Sequence, residues 1–393
     1  MPPVHSPVNC VASWSFGALM KTKEVMPLTQ MFVSISDPRS ARQVRHDLSE
    51  LLTVAVCAVL CSADEFSDIE AWAKERIDWL RGFLVLKHGI PSHDTFGRVF
   101  AMLDPREFET AFRRWVGLLL PALSPDAVVA IDGKTSRRST PQAAAHPLHL
   151  VSAFAADIGL VLGQTATAEK SNEITAIPEL LATLALNGCV VTIDAMGTQT
   201  AIAKTIRERG ADYVLCVKDN HPKLVESFLL AQVGIGGVLT PSSTTESREE
   251  GHGRTEVRRC WAFDAVDRLY KAEQWADLKS FAIVERERTM GTRTSHERCY
   301  YISSLPADAP RIARAVRSHW EVENRLHWCL DVQFGEDQAT VRTGFAANNL
   351  AIVRHIVMNL LRLNTSRKGS IKTKRMLAAT SDIFRAELLG LMT

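Results

Sequence analysis

A chain of 393 residues with 46% hydrophobic and 23% charged side chains has the composition of a folded globular protein and excludes a fibre or a disordered chain. At roughly two to three usual domain lengths it has room for a large domain and at least one smaller helical one. The net charge of +2 names no partner, no apolar run reaches the roughly 18 residues needed to span a bilayer, and the apolar patch from Val11 to Met20 lacks a basic leader, so the chain reads as intracellular.

In chain order, residues 1–34 read as an extension, possibly disordered, with Met31 an alternative start. Asp47, with Glu50 three residues on, caps an apolar run that predicts a helix to Leu60. Helices follow over Asp68 to Val85, over Ser92 to Val99, and after Asp104 and Pro105, where Phe108, Phe112, Trp115 and Val116 share a face. Residues 35–122 are therefore expected to be an all-helical N-terminal domain, whose helices are expected to bind DNA phosphates. The texture then changes. Val128 to Asp132 is a short apolar run ending in an acid. Leu150 to Ala156 and Leu160 to Ala166 form a hairpin around Asp157, Ile158 and Gly159. Pro178 to Leu186 is helical, Cys189 to Asp194 is a second buried strand ending in an acid, Gln199 to Arg209 is a helix, and Tyr213 to Lys218 is a strand. This order predicts an α/β fold with a ribonuclease-H-like mixed sheet over 123–345. A β-rich insertion is expected over about 234–305, with strands at Thr255 to Phe263, Lys279 to Arg286 and Arg298 to Ile302. The last core helix starts at Asp308 and Pro310, and 346–393 is read as a basic helical C-terminal segment.

The eight cysteines lie mostly in apolar runs and read as reduced core residues. Cys57 and Cys61 are one helical turn apart with no second Cys or His pair at zinc spacing. A phosphate-cradling glycine loop is also missing, which argues against a nucleotide-driven motor.

The chemistry is expected in three acids. On a wheel from Pro310 to Leu330, Glu323 falls among Ile312, Val316, Trp320, Leu326 and Leu330, with His319 and His327 a turn to either side. A carboxylate on an apolar face is costly unless paired, hydrogen-bonded or bound to a metal, and the plain alternative is an ion pair with an arginine from the sheet. Asp132 and Asp194 each end a buried strand, where acids of a mixed sheet can converge on one crevice; alone, either could be a loop acid capping the next helix. Two aspartates and a glutamate are hard oxygen ligands suited to Mg2+, with Mn2+ as substitute, and two such ions can drive an in-line phosphoryl displacement. Lys134, Arg137 and Arg138 follow Asp132, Lys170 and Asn172 follow the third strand, and Lys218 follows the fifth; these are candidate phosphate contacts, and Arg254, Arg317, His319, Trp320, Asn324 and His327 are further candidate DNA contacts. From Gln338 to Ser381 there is no Asp or Glu, but there are eight basic residues, among them Lys372, Lys374 and Arg375, which are expected to bind DNA.

Several stretches resemble the H-repeat-associated insertion-sequence transposases of the DDE superfamily. They are AIDGKTSRRS (130–139), HLVSAFAADIGLVLGQTATAEKSNEITAIPELL (149–181), TIDAMGTQ (192–199), DYVLCVKDNH (212–221), HGRTEVRR (252–259) and RSHWEVENRLHWCLDVQFGED (317–337). HDLSELLTVAVCAVL (46–60) and GIPSHDTFGRVF (89–100) are similar to the family's helical N-terminal domain. The resemblance makes Asp132, Asp194 and Glu323 the catalytic, metal-binding acids. It implies cleavage of double-stranded DNA at terminal inverted repeats, transfer of the 3′-hydroxyl into target DNA with two Mg2+ ions, and homo-oligomers on DNA. It also implies a bacterial cytoplasmic, nucleoid-associated setting without membrane or nucleotide cofactor. Around the third acid the superfamily often has Tyr, Arg and Lys; here Val316, His319 and Leu330 stand there, with Asp331 the nearest polar substitute, and His221 replaces a usual Gln. The competing readings are a nuclease that cuts without joining and a catalytically silent, domesticated DNA-binding descendant.

Overall fold

The chain is described by a computed structural model that covers residues 28–120, 123–138, 147–167, 173–233, 239–251 and 253–391. Its first half is set by capped helices. The Asp47 carboxylate accepts from the Glu50 backbone N–H at 2.9 Å and starts α2 (Leu48–Leu60), which follows α1 (Leu28–Phe32) and is buried from Leu51 to Leu60. The helix expected over 68–85 is two, α3 (Phe66–Glu75) and α4 (Ile77–Leu80). Arg76 leaves helical geometry at φ −115°, ψ 18°, and Trp79 then packs edge-on against both Trp72 and Phe83. Ser92 and Asp104 cap α5 (His93–Met102) and α6 (Pro105–Leu119).

Nine strands form one sheet in the order β3-β2-β1-β4-β5-β9-β8-β7-β6. β1 (Val128–Thr135) runs antiparallel to β2 (His149–Ala155), which pairs with β3 (Leu160–Thr167) across the expected hairpin. On its other side β1 is parallel to β4 (Val190–Ile193), and β4 is parallel to β5 (Asp212–Val217). The connections are α7 (Glu173–Ala182) and α8 (Thr200–Glu208), and α9 (Pro222–Val233) follows β5.

The β-rich stretch expected before the last core helix extends this sheet. It has four strands, β6 (Ser243–Gly251), β7 (Arg254–Phe263), β8 (Ser280–Met290) and β9 (Arg293–Ser303), and β9 pairs with β5, so the sheet simply continues. β6 escapes a hydrophobicity reading because STTESREEG has no apolar alternation. Charged pairs hold these outer strands instead, with Arg259 donating to Glu246 and Arg298 to Glu285, both at 2.7 Å, across directly paired positions.

Asp308 caps α10 (Ala309–Glu321), accepting from the Arg311 N–H at 3.1 Å, and the helix lies against the sheet. A π-turn, Val322–His327, links it to α11 (Trp328–Gln333). The tail continues as α12 (Ala346–Leu363), α13 (Ile371–Thr380) and α14 (Asp382–Leu388). α12 is buried along almost its whole length, packed on α2, α5, α6 and β3, with Asn349 donating to the carbonyls of Phe100 and Leu103 at 2.8 and 2.9 Å. The C-terminal segment therefore shares a core with the N-terminal helices. Among the described residues no helix is long and apolar enough to cross a membrane. Cys57, Cys61, Cys189, Cys216, Cys260 and Cys329 are buried free thiols, and Cys299 is a half-buried one.

Candidate active site

The parallel pairing of β1 and β4 brings the first two acids together. Ile131 is the register partner of Ile193, so Asp132 and Asp194 occupy the next positions of neighbouring strands, whose axes lie about 4.8 Å apart. Both open into a pocket of about 160 Å3 that is also lined by Thr192, Lys218, His319, Trp320 and Glu323, with Cys216 and Tyr301 in its wall. Asp194 turns one oxygen back to the chain, where Oδ1 accepts the backbone N–H of Met196 at 3.1 Å and of Gly197 at 3.2 Å. It thus holds the turn before α8 without capping that helix, and still faces the pocket.

Glu323 does not sit on the apolar face of a continuous α-helix. It lies in the π-turn and is exposed at the mouth of the pocket, while its neighbours Val322 and Leu326 point into the core. The extra residue of a π-turn rotates the following side chains relative to a regular helix, which is why the wheel misplaced it. Two histidines pin this segment. His319 Nδ1 meets the Thr192 hydroxyl on β4 at 3.1 Å, and His327 Nδ1 stands 3.4 Å from Asp132 Oδ2 on β1. Burial brings the pKa of both imidazoles down to about 4, so both are neutral at pH 7.

No ion pair within 4.0 Å engages Glu323 or Asp194 among the described residues. Burial, followed by the charges of Asp194 and Glu323, pushes Asp132 up to about 7, and partial desolvation raises Glu323 as well. Lys218 and Arg286 act on Glu323 only through their fields. No three His, Cys, Asp or Glu side chains among the described residues stand close enough together to hold a metal ion as they lie. In donor chemistry the set still fits a hard divalent cation, being three carboxylates that line one pocket.

Behind Asp132 lies a second device. The His149 ring bridges the Thr135 hydroxyl, 2.7 Å from Nδ1, and the buried Glu173 carboxylate, 2.5 Å from Nε2. This pair fills the space beside Gly133, where any Cβ would collide with the Glu173 carboxylate and the imidazole. The sequence reading missed it; a lone His and Glu among apolar neighbours was the available signal.

The remaining candidates divide. Trp320 is exposed and stacks with Arg286, whose guanidinium carbon is 5.3 Å from the ring centre. Asn324 donates to the Trp320 carbonyl at 3.0 Å. Together with Arg254 and Arg317 they line a groove of about 650 Å3 that shares Glu323 and Trp320 with the acid pocket. Arg317 is paired there with Glu249 at 2.9 Å, and Arg137 and Arg138 are exposed at the end of β1. Lys170 and Asn172 lie outside the described residues.

Three basic candidates are corrected. Lys134 points inward and pairs with Asp331 at 2.6 Å and with Glu336. Lys374 is buried, its ammonium donating to the Leu361 and Asn364 carbonyls at 2.8 and 2.6 Å. Arg375 is buried over Phe334, with its guanidinium carbon 4.2 Å from the ring centre, and pairs with Asp64 at 2.6 Å. Within the acid-free tract, carbonyls of the tract hold Lys374 and Asp64 holds Arg375; Lys372 alone of the three named there is exposed.

The family model described as "Transposase DDE domain" matches residues 123–360, and the one described as "DDE_Tnp_1-associated" matches residues 29–116. The chain belongs to the DDE transposase family. It is 38% identical to "Putative transposase YncI" of Escherichia coli O157:H7, over 91% of this chain and 92% of that protein. It is 36% identical to "H repeat-associated putative transposase YhhI" of Escherichia coli strain K12, over 93% and 98%. Among solved structures it is similar to a piggyBac transposase synaptic complex with hairpin DNA, at a TM-score of 0.38 and 12% identity, covering 93% of this chain and 80% of that one.

Proposed function

We propose that the chain is an active insertion-sequence transposase that cleaves double-stranded DNA at its element's ends and joins the freed strand to target DNA. The observation that carries this reading is the gathering of Asp132, Asp194 and Glu323, from two parallel strands and a π-turn, in one pocket without a neutralising partner. The strand order β3-β2-β1-β4-β5 with its mixed pairing supports a ribonuclease-H-like core. The three acids would hold divalent metal, Mg2+ or Mn2+. Such ions supply Lewis-acid activation of the attacking oxygen and charge neutralisation at the leaving oxygen.

The protein's own groups do the rest. Lys218, exposed at the pocket, offers an ammonium to a phosphate oxygen. Trp320 and Arg286 offer a flat, cationic surface to a strand leaving along the adjoining groove. His319 and His327, held neutral, position the π-turn without adding competing charge. A silent descendant has no evident need to keep three unpaired acids together. Action on paired ends would make DNA-bound homo-oligomers the working form.

The test incubates the full chain with labelled DNA carrying the inverted repeats that flank its reading frame, with Mg2+ or Mn2+, and scores both cleaved and joined products. Asp132→Ala, Asp194→Ala and Glu323→Ala should each lower both by about a thousandfold or more, the scale for removing a group that stabilises transition-state charge. Cleavage that survives one substitution removes that residue from the triad, and cleavage without joining makes the protein a nuclease.

A further inference from the structure

A separate cavity of about 610 Å3 opens on the N-terminal helices, between the segment 39–46, the turn at His88–Ile90 and α5. It shares no residue with the acid pocket or the groove beside it. Its charged wall is Arg39, Arg42, Arg45 and Arg98 with His46 and His88, and no carboxylate lines it. Arg39 is structural. Its guanidinium is held by Asp37 at 2.6 Å and by the His46 carbonyl at 2.8 Å, which fastens the segment in place.

The other three arginines are exposed, and none has an ion pair among the described residues. Arg98 makes only local contacts, to the Asp94 carbonyl at 3.3 Å and the Thr95 hydroxyl at 3.5 Å. Three of the four carboxylates nearby are engaged elsewhere, and the fourth, Asp94, is exposed beside His93. Asp37 holds Arg39, Asp47 caps α2, Glu50 accepts the Val85 and Leu86 backbone N–H groups at 2.6 and 3.1 Å, and Asp94 stands 3.5 Å from His93. With no carboxylate in its lining, the cavity gathers positive charge over an apolar floor of Ile90, Val99 and Met102. The field is felt by His46, whose pKa is lowered by burial and then by Arg45, His88 and Arg39.

Guanidinium groups beside the Ser92 and Thr95 hydroxyls are the donor set that phosphate oxygens accept from. No Phe, Tyr or Trp lines the cavity, and its two imidazoles meet each other edge to face with centres 6.3 Å apart. A base would find no platform there, so the wall suits backbone phosphates rather than a nucleotide or an unstacked strand. We propose that this cavity is a second DNA site, in which Arg42, Arg45 and Arg98 grip the phosphate backbone of a duplex independently of the acid pocket and of sequence. The proposal rests on the reading of the chain as a DNA-processing enzyme.

The experiment measures anisotropy of a labelled duplex of arbitrary sequence with the full chain, over roughly 50–200 mM salt, where phosphate contacts dominate the change in affinity. The combined variant Arg42→Gln/Arg45→Gln/Arg98→Gln should reduce the slope of log K against log salt by about 2 to 3. It should do so equally for an unrelated duplex and for the terminal repeats, with the thermal midpoint kept. Should the triple variant be unstable, Arg45→Glu alone, at an exposed position, should weaken binding about tenfold at fixed salt. A parental slope in the variants overturns the proposal, and if binding of poly-glutamate is lost instead, the cavity serves an acidic polypeptide. A parent chain that binds no duplex overturns the functional reading and this site with it.

Discussion

Two charged clusters lie within a few residues of each other on β1 and show opposite solutions to the burial of charge. Asp132 faces acids of its own sign, Asp194 and Glu323, and its carboxyl is pushed up to about 7. Lys134, two positions along, faces opposite charges, Asp331, Glu336 and Asp337. Glu336 also approaches Arg354 at 3.7 Å. Burial alone would raise the Glu336 carboxyl, but Lys134 and Arg354 outweigh it and hold it low. The paired cluster keeps β1, the end of α11 and α12 together. The unpaired one leaves a buried carboxyl beside other acids, which a bound cation would relieve, whereas the paired cluster is already compensated.

The largest difference is expected from breaking the paired cluster. Glu336→Gln leaves two buried cations short of their counter-charge and should cost about 3–5 kcal/mol of stability, read from denaturant midpoints. A loss below about 1 kcal/mol would mean that the cluster is hydrated and carries little of the fold.

Asp132→Asn should act in the other direction. In chelator, the folded state holds the Asp132 proton up to about pH 7 while the unfolded chain releases it near the ordinary 3.8. Its ionisation therefore penalises the fold increasingly as pH rises from about 4 to about 7, and fully above that. The parent should lose on the order of 2–4 kcal/mol across this window. The Asn variant should lose less and be the more stable of the two at pH 8. Equal pH profiles would show that neither burial nor the neighbouring acids raise the Asp132 carboxyl.

The smallest effect belongs to the tail. Lys372→Gln, at an exposed position, should shift stability by no more than about 0.5 kcal/mol. Because Lys374 and Arg375 are satisfied internally, it should lower the salt slope of DNA binding by at most about one contact. A larger loss of slope would mean that the tail presents more charge to DNA than its packing suggests.

Much of this was legible in the sequence. Capping acids and apolar periodicity located α2, α5, α6 and α10, and apolar runs ending in acids located β1 and β4, because helix starts and buried strands are governed by neighbours along the chain. Three positions were beyond such a reading. β6 is polar and exists because β7 pairs with it; Lys374 and Arg375 look like a surface patch until the Leu361 and Asn364 carbonyls hold the one and Asp64 and Phe334, far away in sequence, meet the other; and Glu323 reaches the acid pocket through a π-turn that a regular wheel does not contain. The sequence by itself determined which residue types could do phosphoryl chemistry and on which local elements they ride. Only the tertiary structure decided which charges stay unpaired, since compensation depends on distances between segments far apart in the chain, and Coulomb energy falls off with separation in space.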